Sequence, residues 1–199
     1  MKILNIFAHC DDHIIFGWPV LQNKEYEKSL LVITVPGQTA VLKSCTEMKT
    51  KYLGNTLLNN KFSIQLKQPL YDAVNMIRDK IKICINEIKP DYIFTHNPMG
   101  EYGHYDHQLL FDIVYNLVES IPVLITNILV KSQCWLSKET IPKQYQALYH
   151  NKIDTIEPDI DFYKRQADIF KEEKVWTTNQ YFNFPLYPKE TSLYSLGKL

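Results

Sequence analysis

An α/β fold, with a mostly parallel sheet covered by helices on both faces, is what this 199-residue sequence predicts. Three observations carry that expectation. Short apolar runs rich in β-branched residues recur along the chain, the mark of strands buried on both faces. Between them lie segments whose apolar residues return every three or four positions, as an amphipathic helix requires. The two patterns alternate, and alternation favours parallel strands joined by helical crossovers.

Residues 2–8 form the first strand, an apolar run that ends abruptly in a polar cluster. Ile14 to Leu21, broken by Gly17 and Pro19, begins a short helix, and the polar residues Gln22 to Lys28 lead onward. Ser29 to Val35 (SLLVITV) reads as a second buried strand. The turn Pro36-Gly37-Gln38-Thr39 then borders the carboxyl end of the sheet, and Ala40 to Leu53 reads as a helix closed by Gly54. Lys61 to Leu66 (KFSIQL) is a candidate third strand. Leu70 to Ile88 places Leu70, Val74, Ile77, Ile81, Ile85 and Ile88 on one face of a long helix, stopped by Pro90. Asp91 to Thr95 is the next strand, Tyr105 to Glu119 a helix, and Pro122 to Val130 another strand. After Leu136 the pattern loosens to a short strand within Gln144–Ile156, a charged helix over Asp159–Lys174 and a tail with no clear period. No repeat or low-complexity linker divides residues 1–199, so they are read as one domain, less sharply defined beyond about residue 136.

The apolar fraction of 45% supports a full core. Lys plus Arg number 22 and Asp plus Glu 22, and this balance argues against a dedicated nucleic-acid binder. Met1-Lys2-Ile3 runs straight into the first strand, without the apolar region or cleavage site of a signal peptide. No run approaches the roughly 18 apolar residues of a membrane span. Cys10, Cys45, Cys84 and Cys134 form no CxxC pair and no disulfide framework. A reduced, cytoplasmic protein is therefore expected, and a homo-oligomer is compatible with the composition. The 13 tyrosines suit a core, an interface or a cleft that stacks sugar rings.

The chemistry concentrates at two places. His9, Asp11, Asp12 and His13 put four titratable groups directly after the first strand, at the carboxyl end where α/β sheets bind ligands. Adjacent carboxylates repel unless a cation or a proton compensates, and a divalent metal with an imidazole ligand does so simply. A solvated turn whose aspartates cap the next helix is the plainer reading of the same residues. The second cluster, His104 and His107, follows another strand through a loop flanked by Gly100 and Gly103. At spacing i, i+3 on a first helical turn, both rings face one side. One Asp and two His, with a fourth position open, make the catalytic rather than the structural zinc pattern.

Ala8-His9-Cys10-Asp11-Asp12 resembles the AHPDD motif of the LmbE/PIG-L family of zinc-dependent N-deacetylases, and Gly103-His104-Tyr105-Asp106-His107 resembles its HxDH motif. Thr46-Glu47 through Leu53-Gly54 is similar to the helix that lies between them, and Asn97-Pro98-Met99-Gly100-Glu101-Tyr102-Gly103-His104 resembles an N-P-x-G-E-Y-G-H subgroup signature. The similarity spans roughly residues 2–120. It implies a Rossmann-like fold and removal of an N-acetyl group from an amino sugar or sugar conjugate. His9, Asp12 and His107 would hold one Zn2+ per subunit, with another divalent metal as the alternative. Asp11 would act as general base on the attacking water and then return the proton to the leaving amine. His104, as a cation, would meet the oxyanion, and Asp106 would hold the His104 ring. Cys10 stands where the motif has Pro, which leaves a thiol near the metal, and His13 stands where Glu is common.

Asn97, Glu101, Tyr102 and Gln38 are candidate substrate contacts, although the first three could serve only to shape the loop. His96 reads as a core or supporting histidine rather than a ligand, His150 as exposed, Trp18 and Trp135 as core, and Arg78 and Arg165 as solvated. Two other functions fit the same residues: a zinc hydrolase of a non-sugar amide, and a catalytically silent sugar- or nucleotide-binding domain. The second carboxylate, Asp11, argues against the silent domain, since a binder has no use for it beside a metal ligand.

Overall fold

A computed structural model describes residues 1–34, 37–55, 70–126, 130–131, 134–135, 149, 151–175 and 191–196. In chain order it begins with β1 (Lys2–Phe7), α1 (Asp12–Ile15), α2 (Trp18–Leu21), β2 (Glu27–Val32), α3 (Gln38–Glu47), β3 (Lys51–Tyr52) and α4 (Leu70–Ile88). It continues with β4 (Tyr92–Phe94), α5 (Gly100–Gly103), α6 (Tyr105–Leu117), β5 (Val123–Thr126), β6 (Val130–Lys131) and β7 (Cys134–Trp135). Then come β8 (Lys152–Ile156), α7 (Ile160–Glu172) and β9 (Thr191–Leu196).

Seven strands make one sheet in the order β3-β2-β1-β4-β5-β9-β8, and β6 pairs with β7 apart from it. From β3 to β5 every pairing is parallel, whereas β9 runs antiparallel to both β5 and β8. The chain first builds outward from β1 to β2 and β3, then crosses back to lay β4 on the other side of β1. The carboxyl ends of β1 and β4 therefore flank the point where strand order reverses, where α/β sheets open a ligand crevice.

Alternation along β1 separates two cores. Leu4, Ile6 and Ala8 pack with Ala73, Ile77 and Ile81 of α4 and with Leu110 and Val114 of α6. Ile3 and Phe7 face the other way, onto Ile14, Trp18, Ala40 and Val41 and onto Phe162 and Phe170 of α7. Each such side chain, fully buried, contributes about 1.5–3 kcal/mol. The sheet is thus held from both sides, with β1 and β4 side by side in its interior.

Most elements fall where the sequence places them, within a few residues. The helix expected over Ala40–Leu53 is shorter, because α3 stops at Glu47 and β3 follows. Lys49 adopts φ 51°, with Lys49 N–H donating to Thr46 O at 3.2 Å and Thr50 N–H to Cys45 O at 2.8 Å. That is a Schellman closure built on lysine instead of glycine. Gly54, expected at the helix end, lies beyond β3 with φ 90°. The tail holds a strand, β9, where no period was legible. Pro36, His150, the Trp135 side chain and the strand expected at 61–66 lie outside the described residues.

Candidate metal centre

His9 and Asp12 lie just past the end of β1, and His107 sits on the first turn of α6, reached from β4 through α5. The crevice brings three of their atoms together. His9 Nδ1 is 3.1 Å from Asp12 Oδ2 and 3.2 Å from His107 Nε2, and His107 Nε2 is 3.3 Å from Asp12 Oδ2. A tetrahedral ion with ligands about 2.0–2.1 Å away spaces its donor atoms about 3.3–3.4 Å apart. The triangle fits a zinc-sized ion.

The far side of each imidazole is held by a carboxylate. His9 Nε2 is 3.1 Å from Asp106 Oδ2, and His107 Nδ1 is 2.7 Å from Glu101 Oε2. Such pairing fixes the tautomer, so that each ring turns its lone pair toward the ion. Asp12 Oδ2 is itself aimed by the His9 backbone N–H, which donates to it at 2.7 Å.

His96 and His104 are near enough to compete, since His107 also groups with His9 and His104 and with Asp12 and His96. The hydrogen bonds separate them. His96 Nε2 accepts from the Ala8 N–H at 3.1 Å, and its Nδ1 meets Glu101 Oε2 at 2.9 Å. Both nitrogens are therefore engaged, and the ring stacks on His107 with centroids 3.8 Å apart. These bonds suit His96 to supporting His107, while its Nε2 also lies 3.3 Å from Asp12 Oδ2.

Glu101 does not sit at the mouth of the site, where a substrate contact would be expected. It is 2% exposed and lies beneath the cluster, bridging His96 and His107. The backbone turns it inward: Gly100, Glu101 and Gly103 have φ of 64°, 55° and 85°. A positive φ at glutamate is strained, and Asn97 restrains it. Asn97 Oδ1 accepts from the Met99 and Glu101 N–H groups at 3.0 and 3.2 Å, and Asn97 N–H donates to Glu101 Oε1 at 3.0 Å. Asn97 is accordingly buried as well. Tyr102 alone of the three reaches the opening; it is 45% exposed, with its ring edge against His104 and His107. Gln38 is exposed at the start of α3, after Gly37.

His104 and Asp106 are arranged differently from the expectation. The Asp106 carboxylate meets His9, while its backbone N–H donates to His104 Nδ1 at 3.2 Å. His104 therefore carries its proton on Nε2. Burial, reinforced by His107 and His9, lowers its pKa to about 4. Burial opposes charge on His9 and His107, but Asp12, joined by Asp106 and Asp11 at His9 and by Glu101 at His107, raises them to about 10 and about 9. Burial would raise Asp12 and Glu101; the histidines prevail, holding Asp12 well below the usual carboxylate range and Glu101 at about 2. Asp11 is half-buried beside the ligands, and its charge helps to raise His9 and the Tyr102 hydroxyl.

The Cys10 thiol turns away into the core on the α3 side, so close under Gly37 that a Cβ there would lie 2.8 Å from its sulfur. In the sequence Glu101 stands within the N-P-x-G-E-Y-G-H signature as a candidate substrate contact. Nothing local marks it as the residue that holds both His96 and His107.

The family model described as PIG-L, GlcNAc-PI de-N-acetylase, matches residues 4–118. No curated protein sequence matches. Among solved structures, a teicoplanin deacetylase in complex with teicoplanin is similar at TM-score 0.65 and 11% identity, over 100% of this chain and 99% of that one. The zinc-inhibited form of teicoplanin deacetylase Orf2 is similar at TM-score 0.66 and 13% identity, over 98% and 97%. The A40926 pseudoaglycone deacetylase Dbv21 gives TM-score 0.65 and 13% identity, over 98% and 96%. At these identities the likeness establishes a shared fold.

Proposed function

The chain belongs to the PIG-L family of de-N-acetylases, and from that premise we propose that His9, Asp12 and His107 hold one zinc ion for the hydrolysis of an N-acetylated sugar conjugate. It is a metal-dependent amide hydrolase. The observation that carries the ligand assignment is the triangle of donor atoms, with sides of 3.1, 3.2 and 3.3 Å, each imidazole backed by its own carboxylate.

Zinc, when bound, polarises an amide carbonyl and acidifies a water at neutral pH. Asp11, beside the ligands and partly open to solvent, accepts the proton of the attacking water and returns it to the departing amine. His104 presents its Nε2–H to the carbonyl oxygen as that oxygen gains charge, an interaction stronger in the transition state than before it. Tyr102, aromatic and at the opening, forms a wall for the sugar ring. No helix among the described residues is long and apolar enough to cross a membrane. A reducing, cytoplasmic setting agrees with the buried free thiols of Cys10, Cys45 and Cys84.

The test combines metal analysis with mass-spectrometric detection of acetyl loss across a panel of N-acetyl sugars and their conjugates. His107→Ala should lose zinc. Asp11→Asn should keep it and lose turnover by about two orders of magnitude or more. Stoichiometric zinc in single variants of all three ligands would move the site elsewhere, and near-normal turnover in Asp11→Asn would remove Asp11 from the mechanism.

A further inference from the structure

Within the ligand turn the His9 N–H donates to Asp12 Oδ2 at 2.7 Å and the Asp11 carbonyl accepts from the Ile14 and Ile15 N–H groups. α1 has four residues, and Asp11 at its N-cap makes no side-chain capping bond. The turn is tied from outside through His13, the residue after ligand Asp12. His13 Nε2 lies 2.9 Å from Ser44 Oγ on α3, and Ser44 donates to Gln166 Oε1 on α7 at 2.6 Å. Gln166 Nε2 then donates to Glu47 Oε2 at 3.0 Å, and Arg165 Nε donates to Glu47 Oε1 at 2.9 Å. His13, Ser44 and Gln166 are each 0% exposed, whereas Glu47 reaches solvent. Phe170 packs its ring 5.6 Å from that of His13.

The direction of every proton in this chain is set from its outer end. An ionised carboxylate only accepts, so Gln166 must turn its amide N–H to Glu47 and its carbonyl to Ser44. The carbonyl also only accepts, so the single Ser44 proton goes to it. The Ser44 oxygen is then left to accept from His13 Nε2–H. Reversing any link would face two acceptors across about 3 Å in a buried place, which is costly.

We propose that His13, Ser44, Gln166 and Glu47 are positioning residues of the metal centre, a buried hydrogen-bonded strut from α7 through α3 that locks the turn carrying His9, Asp11 and Asp12. The inference rests on the zinc reading of that turn. It brings α7, which lies beyond the residues 4–118 matched by the family, into the making of the site. A network serving only to stabilise the core would affect unfolding and leave metal affinity alone.

Zinc affinity of the full chain, read by competition with a chromophoric chelator, distinguishes the two. Ser44→Ala and Gln166→Leu should each weaken zinc binding about 10–100-fold, the scale for residues that orient ligands. The double variant should be no worse than the more severe single one, because both cut the same strut. Glu47→Gln lies at the surface and keeps the fold; its amide no longer forces the proton order, and affinity should fall about threefold or more. Ile77→Val, on the opposite face of the sheet, should lower the unfolding midpoint and leave affinity unchanged. Unaltered affinity in Glu47→Gln and Ser44→Ala, with zinc lost from His107→Ala, would overturn the strut and leave the metal site standing. Additive losses in the double variant would also overturn it. Unaltered affinity in His107→Ala as well would instead overturn the zinc reading itself.

Discussion

Asp106 and Glu101 divide the two metal-facing histidines between them, and this division changes what each substitution should do. Asp106 holds His9 at 3.1 Å, and its backbone N–H donates to His104 Nδ1. Asp106→Ala should therefore weaken zinc by about 10–100-fold and leave turnover at saturating zinc little altered. Chelator competition, paired with kcat measured across a zinc titration, checks this. A fall in kcat at saturating zinc with affinity intact would show Asp106 acting on His104 after all. The proposed ligands stand out in the sequence, because His9 and Asp12 follow one strand directly and His107 falls in an HxDH pattern after another. The role of Glu101 does not, because its place under the histidines depends on a positive φ at a non-glycine residue. Ser44 and Gln166 were equally hidden, since they meet His13 only when three helices far apart in sequence pack together.

Among the elements, the junction of α1 and α2 is the tightest. A Cβ on Gly17 would lie 2.4 Å from the His13 carbonyl oxygen and 2.8 Å from the Phe7 ring. Gly17→Ala must displace either a buried strand residue or the backbone of the ligand turn. A loss of about 1–3 kcal/mol is expected, as for other overpacked sites, measurable from the midpoint of denaturant unfolding. A change within about 0.5 kcal/mol, ordinary for a surface substitution, would mean that the junction yields freely. The elements that escaped the sequence have definite physical reasons. The end of α3 is followed by Lys49, a lysine with positive φ where glycine is the usual signal, whereas α7 falls within the helix expected over Asp159–Lys174. β9, TSLYSL, sits inside the sheet between β5 and β8 yet carries Thr191, Ser192 and Ser195. Its polar residues break the apolar run by which the other central strands were recognised.

For the whole molecule, pH and metal should act in opposition. In the chelator-treated protein His9 and His107 bind their protons more tightly than in the unfolded chain, with pKa values raised from 6.5 to about 10 and about 9. Their contribution to stability is full below about pH 6.5 and is lost as pH rises through those values. Zinc displaces the same protons, so its binding strengthens over that range. His13 and His104, both held at about 4, exert their effect only below it. Between about pH 6.5 and 9 the thermal midpoint of the chelator-treated protein should fall, while the increment on adding zinc grows. An increment that shrinks would remove His9 and His107 from the ligand set. The antiparallel seat of β9 bears on something else, the order of events in a growing chain. Val123 pairs with Leu196 and Thr126 with Leu193, so β5 gains its second neighbour only from residues made long after it. Contacts so distant in sequence form slowly, and N-terminal segments fold ahead of them during synthesis. His9, Asp12, Glu101 and His107 all precede β5 and can assemble on the ribosome before β9 arrives. For that interval the nascent chain holds the three proposed zinc ligands, His9, Asp12 and His107, beside an open sheet edge, and a metal bound then would guard the half-built sheet until its last strand docks.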